Sequence, residues 1–155
     1  MVLARKRAEV GWQGTLEEGR GSFTVGRWMV GEVPVTWSRH LVLPHHSRTS
    51  PKEESTSPEE LMAAAHASCY AMALSLVLGE RGTPPESMDV QAACALDAVS
   101  EGFRITTMDL EVRGRVPNLD AEGFRRAADY AHQICPVSNA LKDNVEVRVN
   151  TTLED

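Results

Sequence analysis

Two cysteines hold the chemistry that this sequence offers. Cys69 lies midway along SPEELMAAAHASCYAMALSLVLGERG, residues 57–82, an apolar stretch rich in small side chains. Cys135 opens CPVSNAL, residues 135–141. They stand 66 positions apart, and the chain has no C-x-x-C. A zinc ribbon and a thioredoxin-type motif are therefore both missing. With Cys94 the count is three, and an odd count does not suggest a disulfide framework. Two thiols in such settings point to paired thiol chemistry more than to a structural staple.

A reactive thiol needs a stabilised thiolate. Cys135 has a local source. Pro136 suits the first position of a helix, which puts Cys135 at or near an N-cap, where the positive helix end lowers a thiol pKa. Ser138 supports the same turn. Cys69 sits mid-helix, beyond the reach of its own helix dipole, so a cation from elsewhere must hold its thiolate. His66, three residues earlier, is one candidate; Arg39 and Arg48 are others. On local physics Cys135 is the more acidic thiol. Each residue also has a plainer reading. A buried cysteine behaves as a small apolar side chain, a helical histidine packs, and an arginine lies on the surface. Cys94 shares a strand face with Val90, Ala92 and Leu96 and reads as inert core. His40, His45, His46, His66 and His132 have no zinc spacing, so no metal is expected.

The elements that position these residues follow from pattern. Lys6 to Trp12, Ser22 to Val25 and Val33 to Trp37 read as short strands punctuated by glycine. His40 to Thr56, rich in Pro, Ser and charge, reads as a loop. Ser57 suits an N-cap, Pro58 the first helical position, and Glu59 and Glu60 the positive helix end. Gly82, or Gly79 before it, stops a helix of about 22 residues, roughly 33 Å long. Val90 to Ala98 and Leu110 to Val116 alternate as two strands of an antiparallel hairpin, with Glu101 and Gly102 in the connection. Asp120 caps a helix from Ala121 to about Ile134. Pro136 ends it and begins a short third helix. Val145 to Thr151 alternates as a last strand. The order β-β-β-α-β-β-α-α-β predicts an α+β fold.

Composition sets the outer limits. The 155 residues fit one domain, expected to span 1–155, and 42% hydrophobic residues can build a core. The net charge of −6 argues against a nucleic-acid partner. No run of about 18 apolar residues suggests a membrane span. The start, MVLARKRAEVGWQG, has no apolar core of a secretion signal, and a cytoplasmic location is expected.

The segment SPEELMAAAHASCYAMALS (57–75), followed by CPVSNAL (135–141), resembles the osmotically inducible protein C and organic hydroperoxide resistance family, OsmC/Ohr. The two cysteine motifs come in the family's order and separation, with Pro58–Glu59 ten residues before the first cysteine. LDAVSEGFRIT (96–106) is similar to the family's hairpin, and EEL with AAAHA leans to the OsmC branch. The resemblance implies an OsmC-like fold, with antiparallel sheets packed on long central helices in an interlocked homodimer. It implies a thiol peroxidase that reduces organic hydroperoxides, and hydrogen peroxide less well. No bound cofactor is implied; an external dithiol, of lipoyl type at the family level, restores the thiols. By motif, Cys69 corresponds to the attacking cysteine, Cys135 to the resolving one and Glu59 to the family's carboxylate. Arg39 best fits the place of the family's arginine, with Arg48 in reserve. This reverses the local ranking of the two thiols; an arginine's full charge can outweigh the half-charge of a helix end. Met62, Met72 and Leu74 are expected to wall the site for an alkyl hydroperoxide.

One consequence comes from spacing. Glu59 and Cys69 on one straight helix are about 15 Å apart along its axis. They share a site only if the helix breaks or a second subunit contributes, and a composite site across a dimer is expected. Three rivals remain: a non-catalytic small-molecule-binding stress protein of the same fold, a thiol-disulfide oxidoreductase acting on proteins, and a thiol redox sensor. The missing C-x-x-C counts against the second, and the missing basic patch against the third.

Overall fold

A computed structural model describes residues 6, 8–13, 15, 18, 20–25, 28–35 and 56–154. The chain divides into two compact units, Met1–Pro58 and Glu59–Asp155.

The first unit holds strands β1 (Ala8–Gln13), β2 (Arg20–Val25) and β3 (Trp28–Val35) in one antiparallel sheet of order β1-β2-β3. Val10 pairs with Phe23, and Phe23 with Val33. β3 starts five residues before the sequence-predicted Val33, running through Gly31. Pro34 lies at the edge of the described three-stranded sheet, and its carbonyl accepts from the Thr56 N–H at 2.8 Å.

The second unit carries both cysteine motifs. Helix α1 (Pro58–Glu80) begins on the expected proline and carries Glu59 and Glu60 in its first turn. Its buried stripe is Ala63, His66, Tyr70, Ala73, Leu74, Val77 and Leu78, at the three- and four-residue spacing of one helix face. The helix ends as predicted at Gly82. The Gly82 N–H bonds to Gly79 O at 3.0 Å and the Thr83 N–H to Leu78 O at 3.0 Å, with Gly82 at φ 76°. That pair of bonds is the Schellman ending, which places a left-handed residue where glycine costs least. By length and hydropathy α1 is apolar enough to cross a membrane, although no uninterrupted apolar run of that length occurs in it. Its buried stripe nevertheless packs in the core with Leu110, Val112 and Phe124.

Strands β4 (Ser87–Val99) and β5 (Gly102–Arg115) form the predicted antiparallel hairpin, with Val99 opposite Gly102. Met108, Leu110 and Val112 alternate inward on β5 and are fully or almost fully buried. Helix α2 (Ala121–Ile134) is capped by Asp120, whose side chain accepts from the Gly123 N–H at 2.7 Å. Helix α3 (Pro136–Leu141) follows, then β6 (Glu146–Glu154). β6 pairs parallel to β5, from Thr107 opposite Glu146 to Arg115 opposite Glu154. The expectation of antiparallel sheets thus holds for β1–β3 and the hairpin, and this third pairing corrects it. Two helices intervene between β5 and β6, and such a crossover returns the chain in the same direction.

Candidate active site

Each cysteine lies where a buried helical stripe ends or frays. On α2 the buried residues Phe124, Ala127, Ala128 and Ala131 descend at helical spacing, and Cys135 is the next step. Cys135 is fully buried for that reason. It caps α2 at its C-terminus and α3 at its N-terminus, with φ −64° and ψ 119°. Its N–H donates to Ala131 O at 2.9 Å, and its carbonyl accepts from the Asn139 N–H at 3.0 Å. The amide of Asn139 adds a second donor to that carbonyl at 3.1 Å. Cys69 lies at the edge of the α1 stripe, beside fully buried Tyr70, and is only half-buried.

The two thiols lie close together. The Cys69 side chain packs against the buried cluster that includes Cys135, near enough for the Cys135 thiol and the Val137 backbone to act on its pKa. Burial pushes the Cys69 pKa above the ordinary thiol value; the Val137 N–H pulls it down, and the Cys135 thiol pushes it further up. The positive end of α3 thus serves Cys69 across the interface between helices. Sequence reasoning had given that helix end to Cys135. Among the described residues nothing supplies Cys69 with a full positive charge. Arg39 and Arg48 lie outside the described residues, as do His40, His45 and His46.

His66 is not that cation. Burial, and then the charge of His132, lower its pKa below the usual histidine value. Its Nε2 lies 2.8 Å from Ser138 Oγ. Ser138 Oγ lies 3.1 Å from His132 Nδ1. The Nδ1 of His66 is buried with no partner. An orphaned N–H is costlier than an orphaned acceptor. The cheapest assignment therefore has His66 Nε2–H donating to Ser138 and Ser138 O–H donating to His132 Nδ1. Sequence analysis gave His66 and His132 no joint role. The available signal was a matched offset: His66 precedes Cys69 by three residues, and Ser138 follows Cys135 by three.

Around this pair, Tyr70 donates its hydroxyl to Ala128 O at 2.8 Å and so fixes α1 to α2. A cleft of about 550 Å³ opens beside the serine and is lined by His132, Ser138, Asn139, Lys142 and Val147; neither cysteine lines it. Glu59 is half-buried in the first turn of α1. It lies close enough to Cys94 for its charge, after burial, to push that thiol's pKa up. α1 is unbroken between Glu59 and Cys69, so within one chain they remain about 15 Å apart. The expected apolar wall changes too: Leu74 is fully buried in the core, whereas Met72 is 66% exposed. Among the described residues no group of three His, Cys, Asp or Glu side chains is placed to hold a metal ion.

Residues 51–150 match the family model described as OsmC-like protein. The chain is 36% identical over 144 residues to peroxiredoxin OsmC of Escherichia coli (strain K12), covering 93% of this chain and 94% of that one. It is 32% identical over 95 residues to the organic hydroperoxide resistance protein of Xanthomonas axonopodis pv. citri, covering 61% and 65% of the two chains. Among solved structures, the organic hydroperoxide resistance protein OhrB of Bacillus subtilis superposes with a TM-score of 0.70 at 26% identity, covering 94% of this chain and 98% of that one.

Proposed function

The chain belongs to the OsmC-like protein family, and from that membership we propose that it is a thiol-dependent peroxidase reducing organic hydroperoxides. The observation that carries this reading is the packing of Cys69 against the buried cluster that holds Cys135, close enough for each to matter to the other's chemistry. The printed names of two relatives, a peroxiredoxin and an organic hydroperoxide resistance protein, supply the substrate class.

Cys69 is the attacking residue in this proposal. Its thiolate takes the outer oxygen of ROOH, the O–O bond breaks, and the alkoxide leaves with a proton as ROH. Cys69 becomes a sulfenic acid. The Cys135 sulfur then attacks the Cys69 sulfur; the S–O bond breaks, and hydroxide leaves with the thiol proton as water. The disulfide protects Cys69 from irreversible oxidation. An external dithiol, of lipoyl type, restores both thiols by exchange in the reducing cytoplasm. Arg39 is the proposed cation that offsets the burial of Cys69, and Glu59 orients it through a bidentate pair. With α1 unbroken, Glu59 must come from the second subunit of a homodimer, so the site is composite.

The test is cumene hydroperoxide consumption with a dithiol, in wild type, Cys69→Ser and Cys135→Ser. Cys69→Ser is expected to consume none, and Cys135→Ser to complete one stoichiometric turnover. The reverse pattern would exchange the two roles. A wild type that leaves peroxide untouched would leave the non-catalytic binding reading standing instead.

A further inference from the structure

We propose that the His66–Ser138 hydrogen bond is a positioning pair that sets the register of Cys135 against Cys69 for disulfide closure. This rests on the peroxidase reading above and adds residues that act through the cysteines without touching the peroxide. His66 and Cys69 are three residues apart on α1, on adjacent positions of one helix side. Ser138 and Cys135 are three apart across the first turn of α3. Two contacts, His66 to Ser138 at 2.8 Å and Cys69 beside Cys135, therefore run side by side between the same two helices. α3 is six residues long and has no side-chain cap of its own. So short a helix needs outside contacts to hold its direction. The polar tie from α1 is buried, with His66 fully and Ser138 almost fully out of water. With His66 buried and Ser138 also held by His132 Nδ1 at 3.1 Å, the bond favours one orientation of α3.

Closure is the step that needs this. The Cys135 sulfur must approach the Cys69 sulfur in line with the departing oxygen; one S–S bond forms, one S–O bond breaks, and the thiol proton leaves in water. Peroxide attack needs only the Cys69 thiolate, which α3 reaches through the backbone of Val137, whereas closure also needs α3 to aim the Cys135 sulfur. Displacing a reacting group by about 1 Å costs about a hundredfold in rate. The tie therefore acts on closure more than on attack.

The test compares Ser138→Ala, Ser138→Thr and the double variant His66→Leu/Ser138→Ala, which removes both partners of the tie and leaves His132 Nδ1 facing the cleft. Asp120→Ala, which loses the α2 cap at the far end of that helix, reports what lowered stability alone does. Single-turnover peroxide consumption, trapping of Cys69 sulfenic acid, and the equilibrium of the Cys69–Cys135 disulfide with glutathione are measured on each. Ser138→Ala and the double variant are expected to close the disulfide about ten- to a hundredfold more slowly and to lose distinctly less in the rate of peroxide attack. The glutathione equilibrium should shift toward the open dithiol by a similar factor. Ser138→Thr should recover most of the closure. Wild-type closure and equilibrium in the double variant would overturn the proposal, as would equal slowing in Asp120→Ala. A wild type that consumes no peroxide refutes the peroxidase reading only, because the glutathione equilibrium still decides the positioning.

Discussion

Gly114 on β5 is the position where one added carbon should do the most damage. A Cβ built there would lie 2.6 Å from Phe124 Cζ and 2.9 Å from Cε2. Carbon atoms in good contact sit about 3.5–4.0 Å apart, so the shortfall is about 1 Å. Phe124 is fully buried, held in the α2 stripe with Ala127 and Ala128, and its ring cannot swing out. Overpacking of this kind costs about 1–3 kcal/mol. Replacing glycine returns about 0.4–1 kcal/mol by restricting the unfolded chain. Gly114→Ala should therefore destabilise by about 1–2 kcal/mol. At about 2–4 °C per kcal/mol for a chain of this size, Tm falls by about 2–8 °C. Thermal unfolding followed by circular dichroism reads this directly. Adding Phe124→Leu removes the ring atoms that clash, so the double variant should lose less than the sum of the singles, with a coupling of about 0.5–3 kcal/mol. A Gly114→Ala protein as stable as wild type would refute the packing argument, and so would strict additivity.

Two further outcomes are expected, beyond the cysteine exchange and the positioning test. His66 has a folded pKa below its usual value, so the unfolded chain takes up the proton first as pH falls. The stability from neutral His66 is then complete above about pH 6.5 and is lost as pH drops through the folded value. Urea midpoints should fall between about pH 7.5 and about pH 5, less so in His66→Gln; equal slopes would sink the assignment. Glu122, held low by Arg125 and Arg126, and Glu146, held low by Arg148, act in a separate window below the usual carboxylate range. Subunit mixing tests the composite site. Cys69→Ser and Glu59→Gln should each be inactive, and their unfolded-and-refolded mixture should regain roughly a quarter of wild-type activity, because half the dimers would carry one intact site. No recovery, with heterodimers present, would place Glu59 elsewhere.

The element order was legible because punctuation and period agree along most of the chain. Pro58, Gly82 and Asp120 sit where helix-end physics puts them. The alternation of β5 matches its inward residues Met108, Leu110 and Val112. Two features were not legible. The direction of β6 is a tertiary choice; its alternation is the same whichever way it pairs with β5. The membrane-like hydropathy of α1 also escaped, because Glu59, Glu60, His66 and Ser68 interrupt the apolar run without lowering its mean enough.

The ranking of the thiols shows most clearly where local reasoning stops. Pro136 does begin a helix, and Cys135 is its N-cap. The inference that Cys135 gains from this helix end assumed that a capping residue takes the free N–H groups of its own first turn. Cys135 makes no side-chain cap bond. Its side chain continues the buried stripe of α2, so the Val137 N–H is left for a neighbour, and the neighbour is Cys69. A helix end thus supports the thiol of another helix, and only tertiary packing decides which. The same packing pushes the Cys69 pKa up by burial. One N–H does not cancel that, so the peroxidase reading requires a full positive charge at Cys69. Charge reversal at Arg39 is the sharpest probe of that requirement. Arg39→Glu should abolish peroxide attack and shift the glutathione equilibrium toward the disulfide, since the cation it removes stabilises the reduced Cys69 thiolate. If Arg39→Glu attacks peroxide normally, the cation lies elsewhere, and Arg48 is the next residue to reverse.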